Sequence, residues 1–507
     1  MATKDNSYLD KHANPYLLFF CLCLLLYLPS AFMRLPFPPD EFRNLYIASG
    51  MHSWHDYLFP KFVDGFYFEK PPLYFWILNI FSYCKIISPL VLPTLFNTLI
   101  AWAIASMNFL FFKKEGSREI GLFSSLLLLT SGLFYGMSMI ARMDILFVFF
   151  IYLTIYLFWF GIKEKKGLYL WLASFSMFMA VFTKGAFGIL FPLLVMLSLG
   201  FFKKDLKATG AAVLVTIGAL AAVLAWLYLF SRIQPEYIAT LIGKQTIQRA
   251  TAPMGHREPF YFYLLIFFPV MLPWSILAAG VFQGKFSARY LWEKVFISWL
   301  VGGLVILSCV KSKLPMYLLL VQIPFCALIG RFLWEGKDYL KRRLLMITGV
   351  FFLVIWVGAY VYCKLSKQFI PMQAIFVLAI FMACAFFMVN KPFRARFKNF
   401  FIYWCVFLQM LNFVFLPFAS NASEYGKMFA VIKDPKYAVS GVYVREKELL
   451  TLRILRGSKP IYYLENMGDA CKLSSGLIIS KDKDFPCPPG QLEQVPHKGK
   501  YSIFYKK

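Results

Sequence analysis

Apolar runs long enough to cross a lipid bilayer recur along most of this 507-residue chain. A membrane-spanning helix needs about 20 predominantly apolar residues. The thirteen candidate spans are residues 16–35, 86–112, 120–138, 143–162, 168–183, 186–202, 209–231, 260–282, 293–310, 314–332, 344–363, 370–389 and 400–418. Charged residues make up only 16% of the chain, whereas a soluble protein carries about 25%. The sequence therefore excludes a soluble enzyme and predicts a polytopic, mostly α-helical membrane protein.

Lysine and arginine collect in short loops between alternate apolar runs. These basic loops lie at residues 113–118, 163–166, 203–207, 285–294, 337–343 and 391–398. Because cytoplasmic loops are enriched in Lys and Arg, a cytoplasmic N-terminus puts all of them on one side. An odd number of crossings then puts the C-terminal tail outside. The net charge of +27 is spread over these loops, so it indicates contact with the lipid bilayer and not with nucleic acid.

Segments outside the spans predict the domain organisation. The outer loop at 36–85 holds Pro-Pro-Asp-Glu followed by apolar residues at helical spacing, which predicts a pair of helices on the membrane surface. The outer loop at 232–259 is polar and can approach a site there. Four short β-rich runs follow residue 420, at 442–444, 461–464, 477–479 and 501–505, so residues 421–507 are predicted to form a small α/β domain. Residues 1–420 would form the transmembrane domain.

Cys471 and Cys487 are the two cysteines that lie in the polar tail, while the other eight fall in or beside apolar runs. The predicted topology places the tail in an oxidising compartment, where disulfides persist. We therefore predict a disulfide between these two residues; two free thiols are the alternative.

Several charged side chains lie at the outer ends of the spans, where the distribution of Lys and Arg predicts few cations. They are Arg142, Asp144, Lys184, Lys311 and Lys313, with Arg43 and Lys70 in the first outer loop. Charges at membrane depth usually face a cavity, a partner or a ligand. A group of cations suits a phosphate or pyrophosphate at the outer surface. The alternatives are side chains that snorkel to lipid headgroups and a structural ion pair between Arg142 and Asp144.

Three residues of the outer loops have both a chemical and a structural interpretation. Asp40 offers a carboxylate, but it follows Pro39 and precedes a predicted helix, which makes it a good N-cap. Glu69 and His256 could together bind a divalent metal, zinc or magnesium. The alternatives for these two are an ordinary loop charge and an exposed loop histidine.

Six short motifs resemble those of the bacterial lipid A aminoarabinose transferases. This family is grouped with the protein O-mannosyltransferases in the GT-C superfamily of polyprenyl-phosphate-dependent glycosyltransferases. The motifs are Pro-Pro-Asp-Glu-Phe-Arg at 38–43, Tyr-Phe-Glu-Lys-Pro-Pro-Leu at 67–73, Arg-Met-Asp at 142–144, Thr-Lys-Gly at 183–185, His-Arg-Glu-Pro at 256–259 with Leu-Pro-Trp at 272–274, and Ser-Lys-Leu-Pro-Met-Tyr at 312–317. The resemblance covers residues from about 38 to 330.

The resemblance implies an inner-membrane enzyme with about thirteen transmembrane helices, periplasmic juxtamembrane helices and a small C-terminal periplasmic α/β domain. Its active site would face the periplasm. It would move a sugar from undecaprenyl phosphate to a phosphate of lipid A. The sugar would be 4-amino-4-deoxy-L-arabinose or another amino sugar.

Motif matching also assigns roles to individual residues. The resemblance implies that Asp40 and Asp144 are catalytic. It implies donor-phosphate contacts from Arg43, Tyr67, Lys70, Lys184, Lys313 and Tyr317, some of which would line the cavity. It implies that a metal, if one is bound, is held by Glu69 and His256.

Two alternatives to this function stay open at this stage. One is a protein O-mannosyltransferase-like enzyme with a Ser or Thr acceptor. The other is a transporter or flippase for a lipid-linked sugar. A transporter should have paired repeats and unusual charges on both sides, whereas here the unusual charges concentrate outside. A structural membrane scaffold would leave those charges without a purpose.

Overall fold

Helices occupy the apolar runs in the computed structural model of this chain. The structure describes residues 14–63, 65–84, 88–248, 257–283, 289–365, 393–437, 441–454, 460–465, 467–473, 475–482, 487, 491–496 and 500–506. The first helices are α1 (Pro15–Tyr27), α2 (Ser30–Met33), α3 (Asp40–Ser49), α4 (Trp54–Leu58), α5 (Leu73–Ser82), α6 (Val91–Lys114), α7 (Arg118–Thr130), α8 (Gly132–Met139), α9 (Asp144–Lys163), α10 (Gly167–Lys184) and α11 (Phe187–Lys203).

The remaining helices complete the membrane part and begin the C-terminal domain. They are α12 (Leu206–Ile233), α13 (Glu236–Ile238), α14 (Phe262–Val270), α15 (Ala279–Gln283), α16 (Leu291–Cys309), α17 (Gln322–Glu335), α18 (Asp338–Leu365), α19 (Phe393–Met410), α20 (Leu416–Ala422) and α21 (Glu424–Lys433). Segments of π geometry (Ala239–Gln248 and Leu411–Phe415) and 3₁₀ geometry (Trp274–Ala278, Pro315–Val321, Lys447–Ile454 and Met467–Lys472) lie between them.

Every predicted span within the described residues contains a helix or a bent pair of helices. By length and composition, eight helices in the described part of the chain are suited to cross a membrane, or up to ten if each of two bent pairs is one span. The predicted span at 370–389 lies outside the described residues. The number thirteen therefore stays a prediction.

The predicted spans at 120–138 and 260–282 are both broken. The bend is 60° between α7 and α8, and 108° between α14 and the helical segment after it. Pro273 has no amide hydrogen, so it cannot continue the hydrogen bonding of α14. The amide of Gly132 donates to the Leu272 carbonyl at 2.9 Å, so the two breaks meet. Backbone groups freed at one break thus find a partner at the other, as an apolar environment requires.

The first outer loop contains helices α3, α4 and α5 and a two-stranded antiparallel hairpin of β1 (Lys61–Phe62) and β2 (Gly65–Phe66). The predicted start of a helix at the Pro-Pro-Asp-Glu motif is confirmed, since α3 begins at Asp40. Two apolar side chains of α3 pack against other parts of the protein. Leu45 packs with Tyr74 and Leu78 of α5, and Phe42 enters the core of the C-terminal domain.

The predicted C-terminal α/β domain is present as a five-stranded sheet. Its strands are β3 (Val442–Val444), β4 (Ile461–Tyr463), β5 (Gly476–Ser480), β6 (Glu493–Val495) and β7 (Ser502–Lys506), in the order β4-β3-β5-β7-β6. β3 is parallel to β4 and β5, whereas β7 is antiparallel to β5 and β6. Each of the four predicted β-rich runs contains a strand. β6 escaped prediction because it is a largely exposed edge strand without a clear apolar run.

Cys471 and Cys487 form the predicted disulfide, with their Cα atoms 5.3 Å apart. The bond joins the 3₁₀ segment that contains Cys471 to the chain after β5. The alternative of two free thiols is therefore wrong.

Candidate active site

The two candidate catalytic carboxylates each begin a helix. Asp40 is the first residue of α3 and Asp144 is the first residue of α9. Lys184 is the last residue of α10, where Gly185 follows with a positive φ of 111° and turns the chain. Carboxylates are favoured at helix N-termini and cations at C-termini by the helix dipole. Local sequence thus places two anions and one cation at helix ends.

Asp40 does not cap its helix, so the N-cap prediction is wrong. Pro39 occupies the N-cap position, and no side chain caps the helix there. The Asp40 carboxylate instead pairs with the guanidinium groups of Arg43 and Arg142. A guanidinium is a stronger partner for a carboxylate than a neutral amide, which explains why the side chain turns away from the helix end.

Five charged residues alternate in sign to form what we call the ion-pair chain: Arg43, Asp40, Arg142, Asp144 and Lys184. Arg142 Nε lies 3.0 Å from Asp144 Oδ2, and Lys184 pairs with the other oxygen of Asp144. Burial by itself lowers the pKa of Arg142, but Asp144 and Asp40 hold that pKa above its ordinary value. The Asp40 side chain is 32% exposed and that of Asp144 only 3%. Asp40 is therefore the carboxylate that a substrate can reach.

A buried ion pair holds the turn that carries Arg142. The side chains of Arg34 and Glu41 are fully buried and make two hydrogen bonds, of 2.5 and 2.9 Å. Glu41 also accepts the amide of Ala141, and Arg34 donates to the Met139 carbonyl at 2.7 Å. The sequence analysis missed Arg34. Its signal was a single cation just after the first apolar run, on the predicted outer side.

A narrow pocket, which in this structure has no room for a water-sized molecule, lies beside Asp144 and Lys184. Its lining residues are Asp144, Phe147, Val148, Lys184, Met316, Tyr317, Leu319 and Leu320. Lys184 Nζ lies 5.0 Å from the centre of the Tyr317 ring, within cation–π range. Arg142 Nη2 lies 2.8 Å from Met316 Sδ. The pocket therefore joins a charged wall to an apolar one, and Tyr317 is one of its lining residues.

Tyr67 contacts the ion-pair chain from the first outer loop and is hydrogen-bonded to Glu69. The Arg43 guanidinium lies 5.4 Å from the centre of the Tyr67 ring. The Tyr67 hydroxyl donates to Glu69 at 3.3 Å. Burial raises the pKa of Tyr67, so its hydroxyl stays a neutral donor. Lys70 is half-buried in the turn directly after Glu69.

Lys313 lies apart from the other predicted phosphate ligands. Its Nζ donates to the carbonyls of Glu258 (3.1 Å) and Val310 (2.6 Å), and burial lowers its pKa. These bonds, with a β-bridge between Arg257 and Ser312, attach the end of the second outer loop to the segment before Tyr317. Within the described residues, Lys313 contacts backbone oxygens and no carboxylate.

The predicted metal pair is represented by Glu69 alone, because His256 lies outside the described residues. The described part of the chain contains no group of three or more His, Cys, Asp or Glu residues suited to a metal. Glu69 accepts the hydrogen bond from Tyr67. The described residues do not by themselves make a metal site.

The sequence model of the dolichyl-phosphate-mannose-protein mannosyltransferase family matches residues 14–283, more than half of the chain. The chain belongs to this family. The matched region contains α1 to α15 and, with them, all five residues of the ion-pair chain. The family match thus covers the ion-pair chain, but it ends before Tyr317 and the C-terminal domain.

Two curated relatives are similar to this chain in sequence. Both are undecaprenyl phosphate-alpha-4-amino-4-deoxy-L-arabinose arabinosyl transferases. The enzyme of Enterobacter sp. (strain 638) is 28% identical over 323 residues, which cover 61% of this chain and 57% of the enzyme. The enzyme of Yersinia pestis (strain Pestoides F) is 28% identical over 365 residues, which cover 69% and 64%. The matches thus span less than two thirds of these relatives.

The fold agrees with a solved structure over nearly the whole chain. ArnT from Cupriavidus metallidurans, bound to undecaprenyl phosphate, superposes with a TM-score of 0.70. The match covers 96% of this chain and 97% of that protein at 16% identity. At this identity the likeness concerns the fold alone. It confirms the predicted fold class, a mostly α-helical polytopic membrane protein with a small C-terminal α/β domain.

Proposed function

We propose that this chain is a glycosyltransferase of the bacterial inner membrane that transfers a sugar from undecaprenyl phosphate to a phosphate of lipid A. The sugar is 4-amino-4-deoxy-L-arabinose or another amino sugar. The observation that carries the proposal is the ion-pair chain beside a partly apolar pocket at the ends of membrane-length helices. The printed names of the two relatives and their shared motifs support the same activity.

The orientation of the helices supports an active site on the periplasmic side. α9 runs from Asp144 in the site to Lys163 in a basic loop, and α10 runs back from that loop to Lys184. A helix of 20 residues is about 30 Å long, the thickness of the hydrocarbon core. The site and the basic loops therefore lie at opposite ends of these helices. Since Lys and Arg favour cytoplasmic loops, the site would face the periplasm.

The charges of the site suit a phosphate linked to a lipid. Within the ion-pair chain, Arg43, Arg142 and Lys184 outnumber Asp40 and Asp144 by one. Lys70 adds a further cation directly after Glu69 in the first outer loop. Charge-assisted hydrogen bonds from such cations are the strongest contacts available to a phosphate. We assign the carrier phosphate to Arg43, Lys70 and Lys184. Tyr67 and Tyr317 would line the same cavity.

The transfer is a direct displacement at the anomeric carbon of the sugar. An oxygen of the acceptor forms the new bond to this carbon. The bond from the carbon to the carrier phosphate breaks at the same time, and its electron pair leaves with the phosphate oxygen. Undecaprenyl phosphate departs as an anion that the nearby cations stabilise. The configuration of the sugar is inverted.

Asp40 would act on the acceptor side of this reaction. A phosphate monoester has a second pKa near 6 and already carries an anionic oxygen at neutral pH. Such an acceptor has no proton to give up, so Asp40 would orient groups and stabilise positive charge that develops on the sugar ring. Asp144, which is almost fully buried and bound on both oxygens, would position Arg142 and Lys184. We therefore propose a positioning role for Asp144 in place of the predicted catalytic role.

A protein O-mannosyltransferase-like activity is the second candidate, and the matched family model favours it. A Ser or Thr hydroxyl would have to lose a proton during transfer, and the partly exposed Asp40 carboxylate could accept it. A flippase for a lipid-linked sugar would bind the carrier phosphate with the same cations but would transfer no sugar to an acceptor. Membership of a transferase family argues against it.

The decisive experiment uses the purified chain in nanodiscs with undecaprenyl-phosphate-linked 4-amino-4-deoxy-L-arabinose. One sample contains lipid A and another a peptide rich in Ser and Thr, with Asp40→Asn as the background control. Mass spectrometry should detect the sugar on lipid A and not on the peptide. Sugar on the peptide would favour the second candidate. Folded protein that modifies neither acceptor, with this donor or a mannose-linked one, would overturn both.

A divalent metal at Glu69 and His256 stays part of the proposal. Elemental analysis of the purified protein tests it directly. Zinc or another divalent metal should be present in the parent and reduced in Glu69→Gln. Equal metal content in the two proteins would remove Glu69 as a ligand.

A further inference from the structure

The first turn of α3 directs its side chains to different parts of the molecule. Asp40 and Arg43 are three positions apart, which places them on one face of the helix, where they pair. Phe42 is two positions from Asp40, or about 200° around a helix that turns by about 100° per residue. Its side chain therefore points away from the ion-pair chain.

Phe42 is a core residue of the C-terminal domain, although it belongs to the first outer loop. It is fully buried, and its ring centre lies 4.6 Å from that of Tyr425. The core that it enters contains Met428, Ile432, Val442, Val444, Leu449, Leu450, Leu452, Ile461, Leu477, Ile479 and Ile503. All of these belong to α21, the sheet or the 3₁₀ segment Lys447–Ile454. A buried side chain of the first outer loop is thus part of the hydrophobic core of the domain, and the partly buried Leu35, Tyr46 and Val63 pack against the same core.

A second contact ties the same region to the start of the domain. The amide of Leu35, just before the Pro-Pro-Asp-Glu motif, donates to Ser420 Oγ at 2.8 Å. On another side of the helix, the buried Glu41 pairs with Arg34. α3 is therefore held between the membrane helices and the C-terminal domain, with Asp40 and Arg43 in between.

We infer that the C-terminal domain positions α3 for sugar transfer through Phe42, which acts as a positioning residue. Protein cores are packed as densely as organic crystals, so a shift of the domain core shifts the helix that shares it. A misplacement of about 1 Å in a reacting group can cost about 100-fold in rate. The inference rests on the proposed function, because it gives the C-terminal domain a part in that reaction.

The test compares Phe42→Ala with a matched truncation in the same domain. Phe504 of β7 is also buried, but it packs with Leu464, Ala470 and Ile478 on the other face of the sheet. Phe504→Ala therefore destabilises the domain without removing the contact to α3. Phe42→Leu refills most of the space that Phe42→Ala empties.

Two measurements separate positioning from general stability. In the folded fraction, kcat for sugar transfer should fall at least about tenfold in Phe42→Ala and less than about threefold in Phe504→Ala. Phe42→Leu should restore most of the loss. Hydrogen exchange followed by mass spectrometry should show faster exchange of the α3 amides in Phe42→Ala, with no such change in Phe504→Ala.

Equal kcat values and equal α3 exchange in Phe42→Ala and Phe504→Ala would overturn the inference. If Phe42→Ala does not fold, the milder truncations Phe42→Val and Phe504→Val take the place of the two Ala variants, and the same two measurements decide. If the parent transfers no sugar at all, the proposed function fails, but hydrogen exchange still tests whether Phe42 holds α3. Faster exchange confined to α3 would then retain the structural coupling, and unchanged exchange would reject it.

Discussion

Asp40 and Glu41 are neighbours in the sequence, yet they belong to two regions with opposite exposure. The Asp40 side chain is 32% exposed and shares its oxygens between Arg43 and Arg142. The Glu41 side chain is fully buried, pairs with Arg34, and accepts the amides of Phe37 (2.6 Å) and Ala141. Successive residues of a helix differ by about 100° in direction, so one motif serves two environments.

This difference in exposure indicates which of the two carboxylates a substrate can contact. A partly exposed ion pair contributes about 0–1 kcal/mol to stability, so its members can exchange partners for a ligand at little cost. A buried charge that loses its partner is destabilising by about 3–5 kcal/mol. Glu41 is therefore an anchor, and Asp40 belongs to the reactive surface. Four experiments can break or sharpen this division.

The largest effect should follow from Glu41→Gln. The amide keeps the shape of the side chain but leaves the Arg34 cation unpaired in the interior, which should destabilise the protein by about 3–5 kcal/mol. Thermal unfolding in detergent, followed by tryptophan fluorescence, measures the loss.

Two controls accompany this variant. Arg34→Met combined with Glu41→Gln should recover part of the stability, because the unpaired charge is gone and the single carbonyl oxygen of Gln can still accept one of the two backbone amides. Glu164→Gln removes a carboxylate from a partly exposed pair, so its unfolding temperature should stay close to that of the parent. If Glu41→Gln and Glu164→Gln unfolded at the same temperature, Glu41 would not be an anchor.

Asp40→Asn should have the next largest effect, on turnover alone. Loss of one electrostatic stabiliser of a transition state costs about 100- to 1,000-fold in kcat. Stability should change by no more than about 1 kcal/mol, since the pairs of Asp40 are partly exposed. Steady-state kinetics of lipid A modification, with thermal unfolding beside it, tests both parts. Turnover close to that of the parent would leave Asp40 a purely structural residue.

Lys70→Met should weaken binding of the donor without unfolding the protein. Loss of a charge-assisted hydrogen bond to the carrier phosphate costs about 1.5–3 kcal/mol. Binding of undecaprenyl phosphate, measured by isothermal titration calorimetry in detergent, should therefore weaken by about 10- to 150-fold. Lys61→Met is the matched control, since Lys61 lies in the same loop, half-exposed, and pairs with Asp56. Equal affinity in the two variants would exclude Lys70 from the phosphate site.

Salt should have the smallest effect and should act on only one of the two regions. The Debye length falls from about 10 Å at 0.1 M to about 3 Å at 1 M. Binding of undecaprenyl phosphate should weaken several-fold over this range because the ion-pair chain is partly exposed. The destabilisation caused by Glu41→Gln should stay constant, since water and ions do not reach that pair. A salt-dependent Glu41→Gln effect would argue that the Arg34–Glu41 pair is open to solvent.

Hydropathy and turn chemistry determined much of this fold from the sequence alone. Apolar runs predicted the helices that form the membrane part in the described residues, because a spanning helix must satisfy its backbone internally. Alternating β-rich runs predicted β3, β4, β5 and β7, and the two tail cysteines predicted their disulfide. These features depend on residues close in sequence, or on one property of a whole segment.

The partners of individual charges could not be read from the sequence. Asp40 was a good local N-cap, but tertiary structure brought the guanidinium of Arg142, 102 positions away, to its carboxylate. The same holds for Glu41 with the Ala141 amide and for Phe42 with Tyr425. A local motif offers several partners of similar strength, and only the packing of distant helices decides which partner lies within reach.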